Sequence, residues 1–184
     1  MGETLSEVSS IGVSEKSAGT ILLTTKWSQA TPYNLYAPLA SGGSGGHASA
    51  GCGPVAMSQI LRYHKKPAAP LSDFSYTDSE GSNTGVHRIS DAGGLVNYDW
   101  SNMPNTLTAA SALAQKLAVG RLVYHCGVAM EADYEAGASS VISQLYAARA
   151  LREVFGYTCE DYQSRSDYTT SDWFEKIEAD VDAK

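Results

Sequence analysis

Cysteine is scarce in this sequence of 184 residues, with Cys52, Cys126 and Cys159 the only three. Widely separated and odd in number, they write no disulfide framework and no CxxC metal knuckle, and at least one thiol is free. Histidine is nearly as rare. His47, His64, His87 and His125 form no HExxH and no zinc-finger pairing, and there is no EF-hand loop, so neither a metal nor another cofactor is expected. GxGxxG and GxxxxGKS/T are absent too, which removes support for nucleotide binding. Positive charge is short: 13 Lys and Arg against 20 Asp and Glu leave a net charge of −7, and no basic cluster exceeds Lys65-Lys66. Phosphate recognition needs a concentrated basic face, so nucleic acid and anionic membrane surfaces are not expected as main partners. No apolar run approaches membrane-spanning length. The start, Met1-Gly2-Glu3-Thr4-Leu5-Ser6-Glu7, lacks the basic and then apolar profile of a secretion signal, and the residues alone leave localisation open.

What remains is 43% hydrophobic and long enough for one sizeable core, so one domain is the default. Residues 1–20 are rich in Ser, Glu and Gly without a sustained period and read as a mobile lead-in or the remnant of a removed segment. Thr20 to Trp27 reads as a strand, and Ser28 to Asn34 as a turn-prone segment. Short strands are expected near Phe74-Tyr76 and Tyr98-Trp100. Helices are expected from Thr108 to Cys126 with Gly127 as its stop, and from about Ser140 to Phe155 ending at Gly156. A fourth helix, capped by Asp172 and Glu175, would carry Trp173, Ile177 and Val181 on one face.

The chemistry concentrates in Ala50-Gly51-Cys52-Gly53-Pro54-Val55-Ala56-Met57, which runs on to His64. Pro54 suits a first helical turn, and Ala56/Ile60 and Met57/Leu61 repeat at helical spacing. Cys52 therefore opens a helix, where the macrodipole and free N–H groups favour a thiolate. Gly51 and Gly53 leave room for a substrate backbone. The glycine loop Ser41–His47 before it reads as flexible and exposed, so Cys52 is a candidate nucleophile as well as a candidate buried thiol. Attack by cysteine on a carbonyl requires donors for the developing oxyanion, and Gln29, in a turn upstream, is of the type that supplies a side-chain amide.

The histidines do not complete this site. His64 lies on the Cys52 helix, roughly 18 Å further along the axis. His47 is too close along the loop for the usual pairing, His87 falls in a polar loop, and His125 reads as packed or capping. Glu131, Asp133 and Glu135 read as a solvated acidic loop.

Several blocks, taken in order, resemble the streptopain family of papain-like cysteine peptidases. They are Thr25-Lys26-Trp27-Ser28-Gln29-Ala30-Thr31-Pro32-Tyr33-Asn34, His47-Ala48-Ser49-Ala50-Gly51-Cys52, Met57-Ser58-Gln59-Ile60, Tyr63-His64, Tyr98-Asp99-Trp100, Gly127-Val128, Met130, Asp133-Tyr134 and Phe155-Gly156-Tyr157. The resemblance implies an α+β, papain-like fold, mainly its helical lobe with a few short strands and without most of the β-rich lobe. It implies Cys52 as nucleophile, Gln29 in the oxyanion hole, and a substrate cleft edged by Gly53 and the Met130–Ser139 segment, including Tyr134 and Gly137. Residues 21–184 would be the Cys-bearing part of the peptidase domain and residues 1–20 the end of a propeptide. The function implied is endopeptidase action on polypeptides through a thioester acyl-enzyme, in a secreted or cell-surface bacterial protein made as a precursor.

Two departures matter. Gly53-Pro54 follows the nucleophile, where streptopain-like sequences usually carry other small or apolar residues. The base His of papain-like enzymes falls roughly 130–150 residues after the Cys, and no His follows His125. The chain alone is therefore expected to be inactive, with a second chain or a C-terminal half supplying the His. A papain-like binding module without catalysis, and a papain-like amidase or transpeptidase, are the alternatives.

Overall fold

A computed structural model describes residues 21–182 except 142 and 144, so the lead-in expected over 1–20 lies outside the described residues. Among the described residues, four α-helices and two small antiparallel hairpins follow in chain order: α1 Cys52–His64, β1 Ser75–Asp78, β2 Gly85–Arg88, α2 Leu113–Ala129, β3 Ala132–Asp133, β4 Ser140–Val141, α3 Leu145–Glu153 and α4 Thr170–Asp182. β1 pairs with β2 in the register Tyr76 opposite His87, and β3 with β4 in the register Asp133 opposite Ser140.

The core is built around α2. Every residue from Leu122 to Met130 is buried, as expected of a helix that is apolar all round and packed on all sides. α1 packs against it through Pro54, Val55, Met57, Ser58 and Leu61, its inward stripe, and leaves Ala56, Ile60 and Tyr63 outward. The helix stops at Lys65, which adopts the left-handed conformation and donates its N–H to Leu61 O.

Several expected boundaries are corrected. Residues 21–28 join no ladder: Lys26 N–H donates to Asn105 O at 2.7 Å and Trp27 Nε1 to Pro104 O at 2.9 Å, so this segment is pinned to a loop, not to a strand. α2 starts at Leu113, because Thr108 and Ser111 close a turn of their own and Gln115 caps the Ala112 N–H. It also runs through Gly127. Leu113, its first residue, is exposed. The segment expected as one helix from Ser140 is divided: Ser140–Val141 pairs with β3, and α3 begins at Leu145. Gly156, at φ +68°, ends this stretch, and Tyr157 N–H reaches back to Leu151 O at 2.8 Å. Tyr98-Trp100 is no strand, since Asp99 caps a short helical turn over Trp100–Asn102. Phe74-Tyr76 does lead into β1, whereas His87, expected in a loop, lies in β2. α4 forms, but its first turn is capped by Thr169, whose Oγ1 accepts from Asp172 N–H at 3.2 Å.

Candidate active site

Cys52 is the first residue of α1 and its side chain is exposed. At the first positions of a helix the backbone N–H groups have no acceptor upstream, and those of Cys52 and Gly53 have no hydrogen-bond partner among the described residues, while Pro54 has none to leave unpaired. Gly51 makes this entry possible. Its φ is +86°, and a Cβ there would lie 3.2 Å from Pro54 Cδ. Gly53 is equally confined, with Met130 Cε 3.0 Å and Val141 Cγ2 3.2 Å from the place of a Cβ.

The three residues before Gly51 are held from several sides. Ala48 N–H donates to Pro38 O (2.8 Å), Ser49 N–H to Glu135 O (2.8 Å) and Ala50 N–H to Gln29 O (2.9 Å). Ser139 Oγ donates to Ser49 O at 2.6 Å and accepts from Glu135 N–H at 2.9 Å. The glycine loop is folded into this frame, because buried Asn34 donates through Nδ2 to both Ser44 O and Ala48 O, each at 2.9 Å. Within it Gly46 N–H closes a turn by donating to Gly43 O at 3.0 Å, with Gly45 and Gly46 both at positive φ.

Gln29 is thereby tied by its own carbonyl to a residue two positions before the cysteine. Its side-chain Oε1 accepts from Ser49 Oγ at 3.2 Å. Gln29, Ala30, Ser44, Ser49, Ala136, Gly137 and Ala138 line a cleft of about 180 Å³. The fold thus brings Gln29 and Gly137, more than a hundred residues apart, to one cleft beside the lead-in to Cys52.

The chain matches the Peptidase C10 family over residues 27–184. It belongs to that family. Streptopain of Streptococcus pyogenes serotype M28 (strain MGAS6180) is 31% identical over 165 residues, covering 84% of this chain and 41% of streptopain. The active wild-type interpain A cysteine protease of Prevotella intermedia superposes with a TM-score of 0.72 at 31% identity, over 85% of this chain and 62% of that one. A prointerpain A fragment from the same organism gives 0.73 at 29% identity, over 85% and 49%. The chain therefore spans less than half the length of streptopain. It has the papain-like α+β fold of these peptidases, here mixed helix with a few short strands.

Within this C10 fold, Tyr134 is not a cleft side chain. It is 1% exposed, stacks on Tyr124 with centroids 6.1 Å apart, and sets its hydroxyl where a Cβ of Gly127 would be. Its backbone N–H donates to buried Asp78 at 3.1 Å. The ring therefore supports the segment carrying Gly137 and cannot itself meet a substrate. Glu131 and Glu135 are not simply solvated: Glu131 pairs with Arg149 at 2.8 Å, and Glu135 accepts from Ser82 Oγ at 2.6 Å and from its N–H. The Ser82 hydroxyl bond is the chief reason the Glu135 carboxyl is held below its usual range. Burial, with Asp78, Glu135 and Glu80 nearby, pushes Asp133 up.

Each histidine is engaged elsewhere. His47 Nδ1 lies 2.6 Å from Ala37 O, and His64 ends α1 with its ring edge-on to Tyr63. His87 is buried between Tyr76 and Tyr134, with centroids 5.4 and 5.2 Å away, and burial lowers its affinity for a proton. His125 is fully buried, with Nδ1 2.9 Å from the Tyr98 hydroxyl. Ser49 and Ser139 are the residues that reading the sequence missed. Serine carries no pattern of its own, and only the contacts across the fold single these two out.

Proposed function

We propose that this chain is the nucleophile-bearing part of a streptopain-like cysteine endopeptidase, with residues 21–184 forming that part of the peptidase domain. The observation that carries the reading is the exposed Cys52 thiol at the start of α1, with Gln29 tethered to its lead-in. In the reaction, the base takes the Cys52 thiol proton, Sγ attacks the peptide carbonyl carbon and the π pair moves to oxygen. That oxyanion accepts from the Cys52 backbone N–H and from Gln29 Nε2. Collapse expels the amine, which takes a proton from the conjugate acid of the base, and leaves a thioester that water then hydrolyses. Gly53 and Gly137 would border the bound peptide.

The base is an imidazole contributed from outside these residues, by a second chain or by a further segment of the parent protein, because the four histidines present are held in other contacts. The exposed Ile60 and Tyr63 on the outer face of α1 are consistent with a further element there. A secreted or cell-surface bacterial setting and synthesis as a precursor, with residues 1–20 as propeptide remnant, complete the reading.

The test is alkylation of the 184-residue chain by a peptidyl chloromethyl ketone, followed by peptide mapping. Cys52 is expected to react far ahead of Cys159, the label to vanish in Cys52→Ala, and peptide turnover by the chain alone to be negligible. Equal labelling of the two thiols would overturn the reading. Cys52-dependent peptide hydrolysis without an added partner would overturn the need for an outside base.

A further inference from the structure

Resting on the proposed peptidase site, we infer that Ser49 is a positioning residue that fixes which end of the Gln29 carboxamide faces the reacting carbonyl. A glutamine amide is nearly symmetric in shape and opposite in polarity at its two ends. Turned one way, Nε2 donates to an oxyanion; turned the other way, Oε1 repels it. An oxyanion donor on a rotatable side chain therefore needs a second group to set its sense.

Ser49 supplies that group. It is 7% exposed, so its hydroxyl proton is largely withdrawn from solvent and requires an acceptor. The acceptor is Gln29 Oε1 at 3.2 Å, and Ser49 Oγ has no other hydrogen bond among the described residues. With Oε1 so occupied, Nε2 is the free end, and it has no partner among the described residues. Ser49 itself is fixed on both sides of its backbone, through N–H to Glu135 O at 2.8 Å and through its carbonyl to Ser139 Oγ at 2.6 Å. Gln29 O meanwhile holds the neighbouring Ala50 N–H at 2.9 Å. Gln29 is thus gripped at its main chain and at one end of its side chain by two consecutive residues, and both lie within three positions of Cys52. Ser49 touches no reacting atom; it acts through Gln29.

The test uses the 184-residue chain and a reversible peptidyl aldehyde, whose adduct with Cys52 places a hemithioacetal oxygen in the oxyanion site. The iodoacetamide rate at Cys52 serves as the control, since displacement at a methylene carbon creates no oxyanion. Ser49→Ala is expected to weaken aldehyde binding about threefold to tenfold, the range of one lost hydrogen bond. The iodoacetamide rate should not change. In a Gln29→Ala background the same substitution should have no further effect. Ser49→Thr, which keeps the hydroxyl, should retain more affinity than its near-isostere Ser49→Val, and this pair carries the comparison if Ser49→Ala folds poorly.

If Gln29→Ala weakens the aldehyde but removal of the Ser49 hydroxyl does not, or if the two effects simply add, the inference falls and the peptidase reading stands. If no Cys52-dependent adduct forms, or Gln29→Ala leaves it unchanged, the peptidase reading falls and takes the inference with it.

Discussion

At the scale of single residues, the helix start at Cys52 was legible because what makes it is local. Cys52, its flanking glycines and Pro54 are neighbours in sequence, and a helix start needs only neighbours to be recognised. Tyr134 was misplaced because its role depends on α2, on the far side of a turn. The pair it makes with Gly127 gives a direct prediction. Alanine is favoured over glycine inside a helix by about 1 kcal/mol, but here the Tyr134 hydroxyl occupies the place of the added methyl. Overpacking wins, and Gly127→Ala should destabilise by about 1–3 kcal/mol in urea unfolding. Tyr134→Phe removes the obstructing atom, and that oxygen is buried without a hydrogen-bond partner among the described residues. The single change should therefore be neutral or slightly stabilising, and it should recover part of the loss in the Gly127→Ala background. Equal losses with and without the hydroxyl would show that the clash is not the cause.

At the scale of elements, types were more legible than limits. α1 was readable as a helix because period and turn chemistry agree, and α4 from its period alone, since Thr169 caps it in place of Asp172. The limits of α2 and of the β4–α3 segment differ from the expected ones because a glycine's local preference does not end a packed helix, and helical apolar spacing runs across the two-residue strand β4 into α3. Gly127 is needed for a close approach between elements, whereas Gly156 does end its segment, and nothing adjacent to either in the chain distinguishes them. The 132–141 hairpin was missed for the same reason, since two-residue strands carry no period. The end of α1 offers a test. Lys65 holds φ 52° and ψ 42°, a conformation that costs an L side chain energy and glycine none. Lys65→Gly should stabilise the protein by about 0.5–1 kcal/mol, less a small loss of favourable charge at the helix end. Denaturant unfolding would register this as a higher midpoint with an unchanged slope, and a lower midpoint would refute it.

At the scale of the whole molecule, the burial that makes α2 the core also sets a pH dependence. Burial, assisted by the charge of Arg121, lowers His125 from its ordinary 6.5 to about 4. The folded protein therefore takes up this proton at lower pH than the unfolded chain does. Between pH 6.5 and 4 the unfolded chain binds more protons, so stability falls as pH falls through that window and is independent of this group above it. At about 1.4 kcal/mol per pH unit the full effect is about 3 kcal/mol. Buried His87 shifts in the same direction. Unfolding free energies measured from pH 7.5 to 4.5 should decline, and His125→Asn should flatten the slope even though it lowers stability throughout. An unchanged slope in that variant would assign the acid sensitivity elsewhere.

The sequence by itself determined the family and the helix that Cys52 opens, because order of blocks and helix-start chemistry are written in consecutive residues. The tertiary structure decided what lies beside Cys52. Gln29, Ser49 and Ser139 come together through hydrogen bonds spanning 20 to 90 residues, and Tyr134 and the four histidines are drawn into contacts of their own. Such distant pairings are set by which surfaces bury one another, and no local pattern of residues encodes them.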